Sequence, residues 1–240
     1  MIPLPEGNTG ICVGTVFFKP NEREPSQGRL LLITAESDET AGCHLKKNSE
    51  MNINGCVYAL ARVNGLLAAS IGPSVSVLSS HILRDQELFQ VSVYKVDATG
   101  FEAVANWNHN YVVTSLGSRG SRLFLGDAIW SVSVIDLIEN KAGEMRLESI
   151  AKDFGSLWPV SIESLDHDTI IGANVSFLST RYYQKFMDHV SQSDSNLFTY
   201  TVQRVESRTT LDRDGFYNLG DVVNKFIPGK KYGCGIHSTH

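Results

Sequence analysis

The chain has 240 residues, which is enough for one large domain or two small ones. Its composition, 42% hydrophobic and 20% charged, is ordinary for a globular protein. The net charge of -5 provides no overall positive field, which disfavours strong direct binding of nucleic acid and leaves only a local basic patch. No run approaches eighteen apolar residues, so we expect no membrane-spanning segment and no membrane partner.

Strand-like segments dominate the chain, because short runs of β-branched, aliphatic and aromatic residues alternate with Gly, Asn, Asp or Ser. Helical periodicity is weak, and its best candidate is 181–191 (RYYQKFMDHVS), which could equally be a surface excursion between strands. In chain order the predicted strands are 11–18, 29–34, 56–63, 66–71, 111–116, 122–126, 131–137, 161–165, 169–172 and 197–205.

A repeated unit is visible around the word SVSV, which occurs at 74–77 and again at 131–134. Each copy follows a turn and an apolar strand that ends in small residues, LLAAS before the first and RLFLGD before the second. Degenerate copies are TIIGA followed by VSFL, and ICVGT followed after a loop by GRLLLI. The unit is therefore a turn, an apolar strand, a short loop and an alternating strand.

A strand-rich unit that recurs about every 40 to 60 residues is typical of a β-propeller blade. The alternative is a β-sandwich, whose strands recur at shorter spacing. We predict an all-β fold, a β-propeller in a single domain that forms part of a ring, with four to five blades present. The predicted blades cover about 11–50, 51–106, 107–153, 154–210 and an incomplete 211–240.

Patterns associated with catalysis are absent from the sequence: there is no G-x-S-x-G elbow, P-loop, H-E-x-x-H or dinucleotide fingerprint. The four cysteines form no C-x-x-C pair and no zinc-type ladder with histidine, which favours free thiols in a reducing compartment. The N-terminus does not resemble a signal peptide. We therefore expect no enzyme activity, no cofactor and no metal site.

Tryptophans are the best candidates for a binding role, because Trp107, Trp130 and Trp158 are predicted at loops or strand ends. Large aromatic residues at such edges are common interface anchors, although packing between blades is the alternative. Basic residues give a weaker case for nucleic acid, and the best local candidates are Arg119, Arg122 and the terminal Lys230 and Lys231.

Ordered short motifs from 11 to 226 resemble a known protein family. They are VGT at 13–15, EP at 24–25, GRLLL at 28–32, GCVYAL at 55–60, NGLLAAS at 64–70, GD at 126–127, AKDF at 151–154 with Trp158, GAN at 172–174 and NLGDVVNKF at 218–226. This family includes the large subunit of the damage-specific DNA-binding protein, the A subunit of the cleavage and polyadenylation specificity factor, and a large splicing-factor 3b subunit.

The resemblance implies a seven-bladed propeller, the third of three in the family, of which this chain would hold a part. In the family the first and third propellers hold the substrate receptors of a cullin ubiquitin ligase, often through an inserted helix, and the middle one binds the cullin. Trp158 and Asn224 match receptor-facing positions, while strands carrying Cys56, Val112, Thr114, Ala128 and Trp130 would contribute to the same face. Trp130 departs from the Arg common in the family, which predicts altered receptor choice.

We therefore expect the chain to act as a protein-interaction propeller in a ubiquitin-ligase adaptor for DNA damage repair. Its expected partners are receptor proteins of a cullin ligase and other propellers of the same or a parent protein, with at most weak or indirect contact to nucleic acid. The alternative is a nucleic-acid-binding or scaffold subunit in mRNA 3'-end processing or splicing. The resemblance implies a nuclear location, with the cytoplasm as a second one.

Overall fold

A computed structural model describes residues 2–4, 9–22, 25–38, 42–75, 87–109, 111–127, 131–153, 155, 157–176, 194–205, 208–219 and 223–227. Within these ranges the regular structure consists of β-strands, which form four antiparallel sheets of four strands each. No helix long and apolar enough to cross a bilayer occurs in this part of the chain. The predicted helix at 181–191 lies outside the described residues.

Each sheet consists of four strands that are consecutive in the sequence and pair with their neighbours in order. The first sheet contains β1 (Ile2–Pro3), β2 (Thr9–Phe17), β3 (Gln27–Asp38) and β4 (Gly42–Asn54). The second contains β5 (Cys56–Val63), β6 (Leu66–Val75), β7 (Glu87–Asp97) and β8 (Gly100–His109). The third contains β9 (Val113–Arg119), β10 (Arg122–Asp127), β11 (Val132–Glu139) and β12 (Met145–Lys152). The fourth contains β13 (Pro159–Ser164), β14 (Thr169–Ser176), β15 (Asp194–Val205) and β16 (Arg208–Asn218).

Turn residues explain why adjacent strands form hairpins. Asn64 and Gly65, between β5 and β6, have φ angles of 45° and 82°, as a type I′ hairpin turn requires. Between β13 and β14, the Asp166 carboxylate accepts hydrogen bonds from the backbone N–H groups of Asp168 (2.9 Å) and Thr169 (2.7 Å). Asp166 and Asp168 therefore belong to the turn of this hairpin.

Neighbouring sheets stack face to face with their first strands on the inside. The inner strands β5, β9 and β13 contact one another in sequence, and the outer strands β8, β12 and β16 do the same. The first and fourth sheets are not among the pairs that pack together, so the described blades form an open arc. This arrangement confirms the predicted fold class, an all-β partial propeller.

The hydrophobic core is divided into three layers, one between each pair of neighbouring sheets. Leu30 and Leu32 of the first sheet pack with Leu67 and Ile71 of the second. Val91 and Val93 lie between the second and third sheets. Between the third and fourth, the core side chains are Phe124, Val132, Val134, Ala151, Leu157, Ile162, Ile170, Phe198 and Tyr200. Each blade is therefore stabilised mainly by the apolar surface that it buries against its neighbours.

Polar contacts also cross between blades at the inner strands. The Ser70 hydroxyl donates to the Val113 carbonyl at 2.6 Å, which links the second sheet to the third. The Ile162 backbone N–H donates to the Ser115 hydroxyl at 2.9 Å, which links the fourth sheet to the third. These hydroxyls satisfy backbone groups where two sheets meet without ladder hydrogen bonds.

The repeat predicted from the sequence is correct for its apolar strands and wrong for the word SVSV. ICVGT, LLAAS, RLFLGD and TIIGA all lie in second strands, namely β2, β6, β10 and β14. The first SVSV begins at the end of β6, whereas the second leads into β11, a third strand. The two copies are thus not structurally equivalent, because similar short alternating words fit both strand positions.

Five longer strands were absent from the sequence prediction: β4, β7, β8, β12 and β16. Four of these are the outer strands of their sheets. The burial pattern of β12 is mostly exposed or half-buried, and its sequence, MRLESIAK, lacks the apolar alternation of an inner strand. Outer strands bury little side-chain surface, so their hydrophobic signal is weak even though their backbone hydrogen bonds are regular.

A pair of phenylalanines tests the layered core. Phe198 is 1% exposed and its ring covers Gly172, whereas its cross-strand partner Phe216 is 58% exposed. We expect Phe198→Ala to lower the free energy of unfolding by about 3 to 5 kcal/mol. Phe216→Ala should change it by no more than about 0.5 kcal/mol. Urea unfolding followed by circular dichroism would measure both, and equal effects would contradict the assigned burial of the two rings.

Candidate protein-interaction site

The described residues among those predicted to face a receptor lie at one end of the sheets. We call this the entry end: it is where β5, β9 and β13 begin, at Cys56, Val113 and Pro159. Because neighbouring strands are antiparallel, β6 and β10 end there and β11 starts there. Trp158 therefore lies at this end, next to the first residue of β13.

Trp158 presents a large apolar surface at the entry end. Its side chain is 50% exposed, although its neighbour Leu157 is buried in the core between the third and fourth sheets. Two further residues near the starts of inner strands, Tyr58 and Val160, are 39% and 38% exposed. Aromatic and aliphatic groups exposed next to a rigid core are the side chains that most often anchor a protein partner.

Thr114 connects the third sheet to the segment that carries Trp158. Its hydroxyl lies 3.2 Å from the carbonyl oxygen of Pro159 and 3.4 Å from that of Gly126. Val112 is predicted to lie on a strand but is the residue just before β9, and it is half-buried. Thr114 therefore helps to fix the position of the Trp158 segment.

Cys56, Asn224, Ala128 and Trp130 complete the predicted set. Cys56 is buried, and its thiol donates to the Gly72 carbonyl at 2.9 Å, so its main contact is with the neighbouring strand. Asn224 is exposed in the stretch 223–227, which follows β16. Ala128 and Trp130 lie outside the described residues, between the end of β10 and the start of β11. Their roles at the receptor face stay predictions.

A polar cluster, which sequence reasoning missed, holds the connection that leads to Trp158. Asp153 begins this connection, and its carboxylate accepts hydrogen bonds from the hydroxyls of Tyr200 and of Ser131, the latter at 2.7 Å. The Gly155 backbone N–H donates to the same carboxylate at 3.1 Å. Arg213 donates to the Tyr200 oxygen at 2.9 Å and lies 3.5 Å from Asp153. The cluster joins the third and fourth sheets.

Electrostatics keep this cluster in one protonation state near neutral pH. Burial alone would raise the pKa of Asp153, but the hydrogen bonds from Tyr200 and Ser131, the Gly155 amide and the charge of Arg213 outweigh it and hold the pKa below its usual value. Burial, followed by the hydrogen bond to Asp153, raises the pKa of Tyr200. Asp153 is therefore an anion and Tyr200 a neutral donor, as their contact requires.

A buried histidine and aspartate also meet at the entry end, between the second and third sheets. His109 Nε2 lies 3.0 Å from Asp127 Oδ2, and their side chains are 5% and 2% exposed. Trp107 stacks on the His109 ring with centroids 4.9 Å apart and packs against the core of these two sheets. Trp107, predicted at a loop or strand end, lies two residues before the end of β8, and His109 is the last residue of that strand. Trp107 is therefore a packing residue.

The basic candidates Arg119 and Arg122 lie at the opposite end of the sheets, near the turn between β9 and β10. Arg122 Nε and Nη2 bind the two carboxylate oxygens of Asp136 at 2.8 and 3.1 Å, and Nη1 binds Asp168 at 2.8 Å. Arg119 Nη1 donates to the Leu165 carbonyl at 3.2 Å. Phosphate would have to compete with two carboxylates for Arg122, so the nucleic-acid hypothesis depends mainly on Arg119.

Metal chemistry has no support in the part of the chain that the structure describes, where no group of three His, Cys, Asp or Glu side chains is placed to bind an ion. The entry end instead combines an exposed aromatic side chain with a connection that part-buried hydrogen bonds join to the third sheet. Such an arrangement is suited to binding a protein segment.

These features define a propeller-type protein. The family model described as the CPSF A subunit region matches residues 4–81 and 89–233, so the chain belongs to this family. It is similar to "DNA damage-binding protein 1" of Solanum lycopersicum, with 27% identity over 230 residues, which cover 93% of this chain and 18% of that protein. It is also similar to "DNA damage-binding protein 1a" of Arabidopsis thaliana, with 29% identity over 227 residues, 92% of this chain and 17% of the relative. The chain thus spans less than a fifth of these relatives.

The Asp153 cluster gives a pH-dependent prediction. Tyr200→Phe removes a hydrogen bond to a carboxylate, so we expect the free energy of unfolding at pH 7 to fall by about 1.5 to 3 kcal/mol. Because the folded-state pKa of Asp153 is depressed, its contribution is complete above the ordinary Asp value of 3.8 and is lost as the pH falls towards the folded value. The difference between wild type and variant should therefore shrink below about pH 4 in urea titrations. A constant difference from pH 7 to pH 2 would contradict this assignment.

Proposed function

We propose that this chain is a receptor-binding propeller of a cullin ubiquitin-ligase adaptor that serves DNA damage repair. The names of its relatives support a role connected with DNA damage, and their similarity extends over nearly the whole chain. The observation that carries the proposal is the exposed Trp158 side chain on a connection held by part-buried hydrogen bonds. Because the chain covers only part of the length of its relatives, the adaptor assembly that would surround it is also part of the proposal.

Binding would occur by insertion of apolar groups of the receptor between Trp158, Val160 and Tyr58. A helix with one apolar face suits such a surface, because it presents several anchors at i, i+3 and i+4 spacing. The exposed parts of these side chains would lose contact with water, which provides most of the favourable free energy. Trp130 and Ala128, through the family resemblance, would extend the same surface.

Rigidity of the Trp158 connection would strengthen binding. Asp153 and Thr114 hold the two ends of this segment to the third sheet in the unbound protein. A partner therefore need not order the segment when it binds, and less conformational entropy is lost. The structural role of the Asp153 cluster would in this way contribute to affinity.

A second candidate function is that of a scaffold subunit in mRNA 3'-end processing, with the nucleus as the location for either function. The description of the matched family, CPSF A subunit region, favours this candidate. Direct RNA contact would depend on local basic residues such as Arg119, because the whole chain carries a net charge of -5. The two candidates differ in the proteins that should bind the entry end.

Substitution of Trp158 tests the proposal. We expect Trp158→Ala to weaken binding of a cullin-ligase receptor by about 2 kcal/mol or more, equivalent to roughly thirtyfold in Kd, because a central aromatic anchor is removed. The measurement is a cross-linked pull-down of the 240-residue chain from nuclear extract, with recovered proteins identified by mass spectrometry. Each receptor identified is then purified and its affinity measured by calorimetry.

Leu165→Ala provides the matched control, since Leu165 is 53% exposed but lies beyond β13 at the opposite end of the sheet. This variant should bind receptors as the wild type does. Equal receptor binding by wild type and Trp158→Ala would contradict the site, whereas recovery of polyadenylation subunits in place of ligase receptors would favour the second candidate.

A further inference from the structure

The buried His109–Asp127 pair occupies a position that recurs where neighbouring sheets meet. Register shifts define this position, because one lies near the start of each of the inner strands β5, β9 and β13, and another in the pairing of each of the outer strands β4, β8 and β12. Aligning the strands on these shifts gives the corresponding residues. They are Ile53 and Ile71 at the first interface, His109 and Asp127 at the second, and Gly155 and Asn174 at the third.

The second interface differs from the other two at this position. His109 Nε2 lies 3.0 Å from Asp127 Oδ2, whereas the two isoleucines of the first interface belong to its apolar core. At the third interface, Asn174 Oδ1 is buried and has no hydrogen-bond partner among the described residues. Stacking of two sheets therefore does not require a polar pair here. Because burial of such a pair costs desolvation that apolar residues avoid, His109 and Asp127 need a more particular role.

Asp127 holds Ser131, whose backbone conformation is strained. The φ angle of Ser131 is 133°, in a region that favours glycine over residues with a side chain. Such a conformation persists only where the surrounding contacts enforce it. One of these contacts is the hydrogen bond from the Asp127 backbone N–H to the Ser131 carbonyl, at 3.0 Å. The imidazole of His109 holds the side chain of the residue that makes this bond.

Ser131 in turn holds the start of the connection that leads to Trp158. Its hydroxyl donates to the Asp153 carboxylate at 2.7 Å, and the Asp153 backbone N–H donates to the Val132 carbonyl at 2.9 Å. The same carboxylate accepts a hydrogen bond from the Gly155 backbone N–H at 3.1 Å. A series of hydrogen-bonded residues therefore extends from the second sheet, across the third, to the connection that precedes the fourth.

We propose that His109 and Asp127 are positioning residues, which fix the backbone of Ser131 and, through it, the connection that carries Trp158. Loss of the pair should leave the sheets stacked and loosen this connection. The consequence for a partner rests on the proposed function, because a looser connection loses more conformational entropy when it is bound. The positioning itself needs no partner and can be measured in the chain alone.

Hydrogen exchange of the Gly155 amide, followed by NMR of the whole chain, tests this role because that amide is hydrogen-bonded within the connection. The double variant His109→Ile/Asp127→Ile reproduces the apolar pair of the first interface and should keep the wild-type strand content. We expect its Gly155 amide to exchange at least about threefold faster, as coupling within one network implies. Asp127→Ala, which adds no bulk, should have the same effect. Ser131→Ala removes a direct bond to a carboxylate and should accelerate exchange about tenfold.

Ser118→Ala is the matched control, since the Ser118 hydroxyl also joins the second and third sheets, by donating to the Arg62 carbonyl, but at the opposite end. This variant should leave the exchange of Gly155 unchanged. Gly143 is the internal reference, because its N–H donates to the Asn140 carbonyl at 3.0 Å in the turn between β11 and β12.

Unchanged exchange of Gly155 in either folded variant of the pair, or in Ser131→Ala, would overturn the proposal. Equal acceleration of Gly155 and Gly143 would also overturn it, because that result indicates a general loss of stability. Circular dichroism checks that each variant keeps its strand content. These measurements use no receptor, so failure of the positioning role and failure of receptor binding at Trp158 are observed separately.

Discussion

Burial of one sheet face against the next is the interaction on which the rest of this structure depends. Within a sheet, hydrogen bonds join the strands, but three separate core layers hold the four sheets together. A single four-stranded sheet leaves two apolar faces in water, and only stacking removes them. The order of blades in the chain therefore fixes their order in space, because each linker is short and joins adjacent sheets.

Polar groups between the blades have a different role, since they fix the geometry of segments that the apolar layers do not reach. Arg122 bridges carboxylates of the third and fourth sheets at one end, while Asp153 collects hydrogen bonds from both sheets at the other. Groups of this kind are costly to bury unless every partner is present. These polar groups can therefore find their partners only when the third and fourth sheets are stacked as in the folded protein.

The entry end combines exposed apolar side chains with residues that are buried or hydrogen-bonded. Trp158 is half in water, but the residues on both sides of it are buried or hydrogen-bonded to the third sheet. In a propeller, loops at the strand ends are free to vary without disturbing the layered core.

The sequence by itself determined the fold class and the second strand of every sheet, because strongly apolar runs such as LLAAS and TIIGA are mostly buried. It also determined turns such as Asn64-Gly65, whose backbone angles follow from local chemistry. Outer strands such as β12 and the partners of Asp153, His109 and Arg122 were decided only by the tertiary structure. His109 and Asp127 are 18 residues apart in the sequence, and Asp153 and Tyr200 are 47 residues apart. No local sequence pattern specifies such pairs, because the stacking of the sheets brings the two side chains together.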